Sequence, residues 1–239
     1  MKMLVRHISM VLLGVALATP VQARVHHYRR LAVGHGKKLD YALVLPREFD
    51  RKRAYPVLLA LPPGGQDRAM VEAGVGRYWG LEAARRGWIV VSPVAPDGVL
   101  FFKGAEQVLP ALMDAIADEF ILEGNRFHLA GVSNGGISAF RVAVSWPERF
   151  QSLTVLPGFP MTREDIEGLS RLRGMPVHLF AGGDDVKWAS AERKTAKMLE
   201  DLGIPVAVTV YPGEGHVPAS ITAVKLFDLL DGLRRPEAP

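Results

Sequence analysis

The sequence has no cysteine. That absence excludes disulfide cross-links, thiolate nucleophiles and thiolate-held metals together. A chain without such staples must rely on a buried core, and 239 residues of 49% hydrophobic content are enough for a substantial one. An excess of one charge is also missing. The formal net charge is +4 and the basic residues are scattered, so the chain lacks the electrostatic footprint of a nucleic-acid binder. Internal repeats, low-complexity tracts and linker-like stretches are absent as well, and one domain is expected from residue 24 to 239.

The first 23 residues read as an export signal. Lys2 and Arg6 give a positive start, residues 8–18 form an apolar run broken only by Ser9 and Gly14, and Val21-Gln22-Ala23 places small residues where a signal peptidase cuts. The run is too short for the roughly 20 residues that cross a bilayer. Without a cysteine at the cleavage site a bacterial lipid anchor is excluded too, so no stable membrane anchor is expected, and the destination is the periplasm or the outside of the cell. Cleavage after Ala23 removes Lys2 and Arg6 and no acidic residue, lowering the formal charge from +4 to +2.

Beyond that point short apolar runs alternate with longer segments of helical composition. The runs are residues 41–45, 57–61, 88–94, 127–132, 153–156, 177–181 and 206–211. Most are nearly continuous in Val, Ile, Leu and Phe, as strands covered on both faces are. Helices are expected over 77–86, 105–120, 136–145, 189–202 and 222–233. Strand and helix in alternation give right-handed crossovers, a mostly parallel sheet and a three-layer αβα sandwich. In such sheets the ligand site lies beyond the carboxyl ends of the strands, so a reactive residue should follow a strand.

Phe127 to Gly136 reads as a strand running through Gly131-Val132-Ser133-Asn134-Gly135 into a helix. In a Gly-x-Ser-x-Gly turn the serine takes a strained backbone conformation that projects its hydroxyl, and side chains at the two glycines would strike the neighbouring strand and helix. The competing reading is a strand-to-helix turn in which Ser133 merely caps the helix. A serine nucleophile needs a base. Of seven histidines, His7 lies in the signal, His26, His27 and His35 precede the main sheet, and His128 and His178 sit inside strand runs. His216 alone follows a strand, in the loop Pro212-Gly213-Glu214-Gly215-His216. The base in turn needs a carboxylate to fix its tautomer. Asp184 and Asp185, side by side after the run 177–181, are both candidates.

With a serine, an aspartate and a histidine following successive strands in that order, the chain resembles the α/β-hydrolases, the superfamily of esterases and serine peptidases. The resemblance implies the α/β-hydrolase fold with little or no cap, and a triad of Ser133, Asp185 and His216. Asp185 is preferred because Gly182-Gly183-Asp184-Asp185-Val186-Lys187-Trp188 matches the family frame Gly-x-x-Asp-x-x-(Val or Trp) with Asp185 as the acid. It also implies an oxyanion hole with one donor at Asn134 and the other in the loop Pro62-Pro63-Gly64-Gly65-Gln66-Asp67. Many relatives carry His-Gly where this chain has Pro62-Pro63, and proline has no N–H to donate. Gly64, Gly65 and Gln66 remain, with Gln66 favoured by the alignment and Gly65 next. Phe101, Phe102, Phe159 and Trp188, together with Trp79, are candidates for the substrate pocket, with core packing as the alternative. The expected activity is hydrolysis of a small-molecule or polymer-borne carboxylic ester without metal or organic cofactor. A peptidase or amidase with the same triad, and an inactive binding protein on the same fold, are the alternatives.

Overall fold

A computed structural model describes residues 26–34 and 36–234. The export signal expected at residues 1–23, His35 and the tail from residue 235 lie outside the described residues.

Among the described residues the strands are β1 (His26–Ala32), β2 (Lys38–Val44), β3 (Ala54–Tyr55), β4 (Val57–Leu61), β5 (Ile89–Pro93), β6 (Ile121–Leu122), β7 (Phe127–Val132), β8 (Phe150–Leu156), β9 (Val177–Gly182) and β10 (Val206–Tyr211). The helices are α1 (Arg68–Gly74), α2 (Gly80–Arg86), α3 (Leu109–Glu119), α4 (Asn134–Ser145), α5 (Arg163–Gly168), α6 (Val186–Asp201) and α7 (Ala223–Gly232). Eight strands form one sheet in the order β1-β2-β5-β4-β7-β8-β9-β10, and β3 pairs with β6 apart from it. β1 and β2 run antiparallel to each other and β2 antiparallel to β5, whereas every pairing from β5 to β10 is parallel.

The apolar runs become central strands because both faces of the sheet are covered. In β4 every residue of Val57-Leu58-Leu59-Ala60-Leu61 is buried. Alternation sorts them: Val57, Leu59 and Leu61 join a core with Leu112, Phe140 and Leu199, while Leu58 and Ala60 join the opposite core with Trp88, Val71 and Phe227. Helices α3, α4 and α6 therefore lie on one face, and α1, α2 and α7 on the other. Each such leucine stabilises the fold by about 1.5–3 kcal/mol relative to exposure. This is the expected three-layer αβα sandwich.

Helix ends follow local chemistry. The Asp67 carboxylate accepts from Met70 N–H at 3.0 Å to start α1, and Thr222 caps α7 by accepting from Lys225 N–H at 3.3 Å. Thr162 and Asp165 form a reciprocal capping box on α5. Gly87 ends α2 in the left-handed conformation, φ 81°. The last helix is tied down firmly: Arg86 of α2 donates to Asp228 at 2.7 Å and to Asp231 at 3.0 Å, and Trp88 Nε1–H donates to Asp231 at 2.8 Å. Just past α7, Arg234 meets Glu123 at 2.7 Å.

Several elements depart from expectation, among them the short pair β3 and β6, which no apolar run signals. β1, His26-His27-Tyr28-Arg29-Arg30-Leu31-Ala32, is too polar to read as a strand, but as the edge of the sheet it needs only one partner. The first helical stretch begins at Arg68 rather than 77 and passes through a π-helical turn, Val75–Trp79, before α2. Between β8 and β9, where no helix is expected, the capping box at Thr162 builds the short α5.

Candidate active site

Four loops at the carboxyl ends of β4, β7, β9 and β10 converge. Ser133 follows β7 directly with φ 56° and ψ −118°, a conformation that costs a non-glycine residue about 1–3 kcal/mol. The surroundings hold it there. Its N–H donates to Leu156 O at 3.1 Å, and its carbonyl accepts from Gly136 N–H at 2.8 Å and Ile137 N–H at 3.1 Å. The flanking glycines leave no room for anything larger. A Cβ at Gly131 would lie 2.0 Å from Gly135 O, and one at Gly135 would lie 2.2 Å from Leu61 O. The Ser133 side chain makes no cap to α4; its hydroxyl turns outward instead.

Ser133 Oγ lies 2.8 Å from His216 Nε2, and His216 Nδ1 lies 2.5 Å from Asp185 Oδ2. With the imidazole neutral, Nδ1–H donates to the carboxylate and Nε2 accepts the serine proton. The His216 side chain is 38% exposed and that of Asp185 18%, so substrate can reach the serine side while the carboxylate is sheltered. Asp184 is exposed, and only its backbone N–H is engaged, on Glu214 O at 2.9 Å. Of the two neighbouring carboxylates it is Asp185 that meets His216.

The loops carrying Asp185 and His216 touch backbone to backbone. A Cβ at Gly182 would sit 2.0 Å from Gly215 O and 2.3 Å from Glu214 O. The histidine loop is closed on itself by Glu214, whose carboxylate accepts from Ser220 N–H at 3.0 Å and from the Ser220 hydroxyl. Those bonds hold the Glu214 carboxyl below the usual carboxylate range. Arg77, from the π-helical turn, donates to Pro218 O at 3.2 Å and secures the same loop. Nothing in the spacing of the sequence signals Glu214, Ser220 or Arg77, because the first two meet across a loop and the third comes from 141 positions away.

The loop after β4 corrects one expectation. Gln66 is fully buried, and its N–H donates to Pro63 O at 3.0 Å, so it cannot also serve an oxyanion. Its side chain is spent too: Nε2 donates to Ser138 Oγ at 2.9 Å and Pro62 O at 3.2 Å, and Oε1 accepts from Phe101 N–H at 2.8 Å. Gln66 is the brace of the loop. Among the described residues the N–H groups of Gly64 and Gly65 have no hydrogen-bond acceptor, and neither has that of Asn134 at the first position of α4. The Asn134 side chain donates to Gly64 O at 2.9 Å, drawing the two candidate donor segments together.

The aromatic candidates divide. Phe159 and Trp188 lie at the site, with ring centroids 5.1 Å apart, and Trp188 stands edge to face on His216 at 4.7 Å. Phe101 and Trp79, each 0% exposed, belong to the two cores instead, and Phe102 is buried with only 7% of its surface open. The strand-end position of Phe101 and Phe102 suggested a pocket, but the Gln66 brace on Phe101 N–H pulls that segment inward. Val186 at 70% and Val217 at 46% exposure, neighbours of Asp185 and His216, supply the open apolar surface.

No protein-family model and no curated protein sequence matches the chain. Solved structures do. A thermostable esterase is 17% identical, with 87% of this chain and 62% of that chain covered at a TM-score of 0.73. Porphyromonas gingivalis dipeptidyl peptidase 4 is 16% identical, with 88% of this chain and 35% of that one covered at 0.67. Dienelactone hydrolase from Anabaena variabilis is 18% identical, with 86% and 94% covered at 0.66. This chain thus spans less than two thirds of the esterase and the peptidase, but nearly the whole of the dienelactone hydrolase. The chain has the α/β-hydrolase fold.

Proposed function

We propose that the chain is a serine hydrolase that cleaves carboxylic esters through an acyl-enzyme. One observation carries the reading: the strained Ser133 hydroxyl, His216 and Asp185 form a continuous hydrogen-bonded series at 2.8 and 2.5 Å. Ser133 Oγ attacks the acyl carbon while its proton passes to His216 Nε2. The Asp185 carboxylate stabilises the resulting imidazolium through Nδ1–H. Negative charge on the former carbonyl oxygen is met by Asn134 N–H and by Gly64 or Gly65 N–H, a contribution of several kcal/mol. Collapse breaks the bond to the alcohol oxygen, which leaves with the proton from Nε2. Water then attacks the acyl-enzyme, gives its proton to His216, and Ser133 recovers it as the acid departs. No metal or organic cofactor takes part in these steps.

Ester substrates with an apolar acyl or aryl group suit the rim formed by Phe159, Trp188, Val186 and Val217. The esterase and dienelactone hydrolase neighbours support ester chemistry, and the dipeptidyl peptidase marks amide cleavage as the reading to test against. Export by residues 1–23 is part of the proposal, and N-terminal sequencing of protein recovered outside the cytoplasm should begin at Arg24.

The test is fluorophosphonate labelling followed by a panel of p-nitrophenyl esters and anilides. Labelling of the native chain, lost in Ser133→Ala, with esters cleaved and anilides untouched, is the expected result. Anilides cleaved in preference to esters would replace the esterase with an amidase. A chain that neither labels nor turns over would be a binding protein.

A further inference from the structure

Glu192 of α6 is a carboxylic acid that the proposed reaction does not use, and it is fully buried. Its Oε1 accepts from Gly158 N–H at 3.0 Å, while its Oε2 has no hydrogen-bond partner. It lies about two helical turns beyond Asp185, on the buried side of the same helix. The hydroxyl of Thr195, also buried on α6, donates to Ala191 O at 2.9 Å. Asp185 is the charged group whose field reaches Glu192 among the described residues, and the facing loop after β8 brings only a backbone N–H. A buried carboxylate with one bare oxygen beside a second negative charge is costly, and the acid escapes that cost by keeping its proton. Burial, reinforced by Asp185, pushes the carboxyl up to about 8.

What Glu192 holds is the segment behind the nucleophile. Leu156 O receives Ser133 N–H at 3.1 Å, and the next residue packs so closely that a Cβ at Gly136 would lie 2.2 Å from Pro157 O. Two residues on, the Phe159 ring meets Trp188 edge to face, and Trp188 in turn stands edge to face on His216. The stretch 156–159 thus touches the serine turn directly and reaches the imidazole through Trp188. We propose that Glu192 is a positioning residue: its buried carboxyl, bonded to Gly158 N–H, ties the segment that fixes Ser133 to the helix that opens at Asp185. The inference rests on the hydrolase reading above and adds to it a residue that sets the geometry from outside the triad.

Two substitutions separate its parts. Glu192→Gln keeps a neutral acceptor for Gly158 N–H, and should hold kcat within about twofold of wild type. Glu192→Leu keeps the bulk and removes the acceptor; it should lower kcat about tenfold, with KM changed less than about threefold and thermal stability not falling in step. A folded Glu192→Leu with wild-type kcat would overturn the proposal, and so would a Glu192→Gln variant as impaired as the leucine. The second arm needs only wild type and Glu192→Gln, both read by thermal melts. A folded-state affinity raised to about 8 means that wild type loses stability as pH rises from the ordinary carboxyl range through that value, whereas glutamine does not titrate. The Tm advantage of Glu192→Gln should therefore widen between about pH 5 and pH 8.5. A difference independent of pH would refute the neutral carboxyl. If wild type turned over neither ester nor anilide, the hydrolase reading would fail and the positioning role with it. An active wild type matched by Glu192→Leu defeats this inference alone.

Discussion

Gly182→Ala would place a methyl group between the two loops that bring Asp185 and His216 together. The new Cβ would lie 2.0 Å from Gly215 O and 2.3 Å from Glu214 O, both backbone atoms with no rotamer to give way. Ordinary non-bonded contact requires one loop to retreat by about 1 Å or more. Gly215 directly precedes His216, so the retreat is handed to the imidazole. The 2.8 Å contact from Ser133 Oγ to Nε2 would open beyond hydrogen-bond length. Displacements of that size cost on the order of 100-fold in rate, or about 2.7 kcal/mol of barrier. The same overpacking should cost roughly 1–3 kcal/mol of stability, a Tm loss of roughly 2–12 °C, so the variant stays folded at room temperature. Gly215→Ala is the control, because a Cβ there meets nothing within 4 Å. Initial rates of ester hydrolysis at several substrate concentrations, on protein checked by circular dichroism, decide the matter. Activity of Gly182→Ala within about threefold of wild type, or an equal loss in Gly215→Ala, would refute the reasoning.

Asp185→Asn should lower kcat by about 10⁴-fold through loss of the correct imidazole tautomer, while Asp184→Asn changes it only a few-fold; the reverse ranking would transfer the role to Asp184. Arg141 bridges Asp165, which is 1% exposed, as well as Glu106 and Thr162, so Arg141→Met strands buried carboxylates. Urea unfolding should show a loss of about 3–5 kcal/mol, and a loss below about 1 kcal/mol would mean that the network is dispensable. Burial, aided by Arg234, pushes His128 down to about 3, and its ring contacts Ser152 Oγ and the Gln151 amide, each at 2.7 Å, suit the neutral form. Because the unfolded histidine takes its proton near pH 6.5, stability is held above that value and drains away as pH falls toward 3. His128→Phe should be less stable at pH 7 by about 1–3 kcal/mol but show a shallower acid decline. An unchanged slope would clear His128 of that part of the acid sensitivity.

The sequence is most legible where one physical signal dominates. β4, β7 and β10 are continuous or alternating apolar runs between turn residues, and their expected limits coincide with those observed. Ser133 and His216 are legible because each follows such a run. β1 is hidden because an edge strand need not be apolar, and α5 because its signal is a capping box rather than a long periodic face. The oxyanion loop misleads for another reason. Gln66 occupies the aligned position, but which of three successive N–H groups stays free depends on a turn that Pro63 O closes and on a brace to Ser138, 72 residues away. Glu192 is invisible to pattern altogether. On α6 it looks like one more acidic surface residue, and only the tertiary approach of Gly158 reveals it as interior.

The ties on α7 bear on how the protein can be handled. Asp228 and Asp231 are held by Arg86 and Trp88, Arg234 by Glu123, and the loop that leads into this helix carries His216. The helix is the downstream mooring of the histidine loop. Trimming back to residue 222 to obtain a shorter protein would cut the loop adrift at one end. Proteolysis at Arg234 or within α7 should therefore abolish the proposed hydrolysis from well outside the site, and intact mass is the first quality check for any inactive preparation.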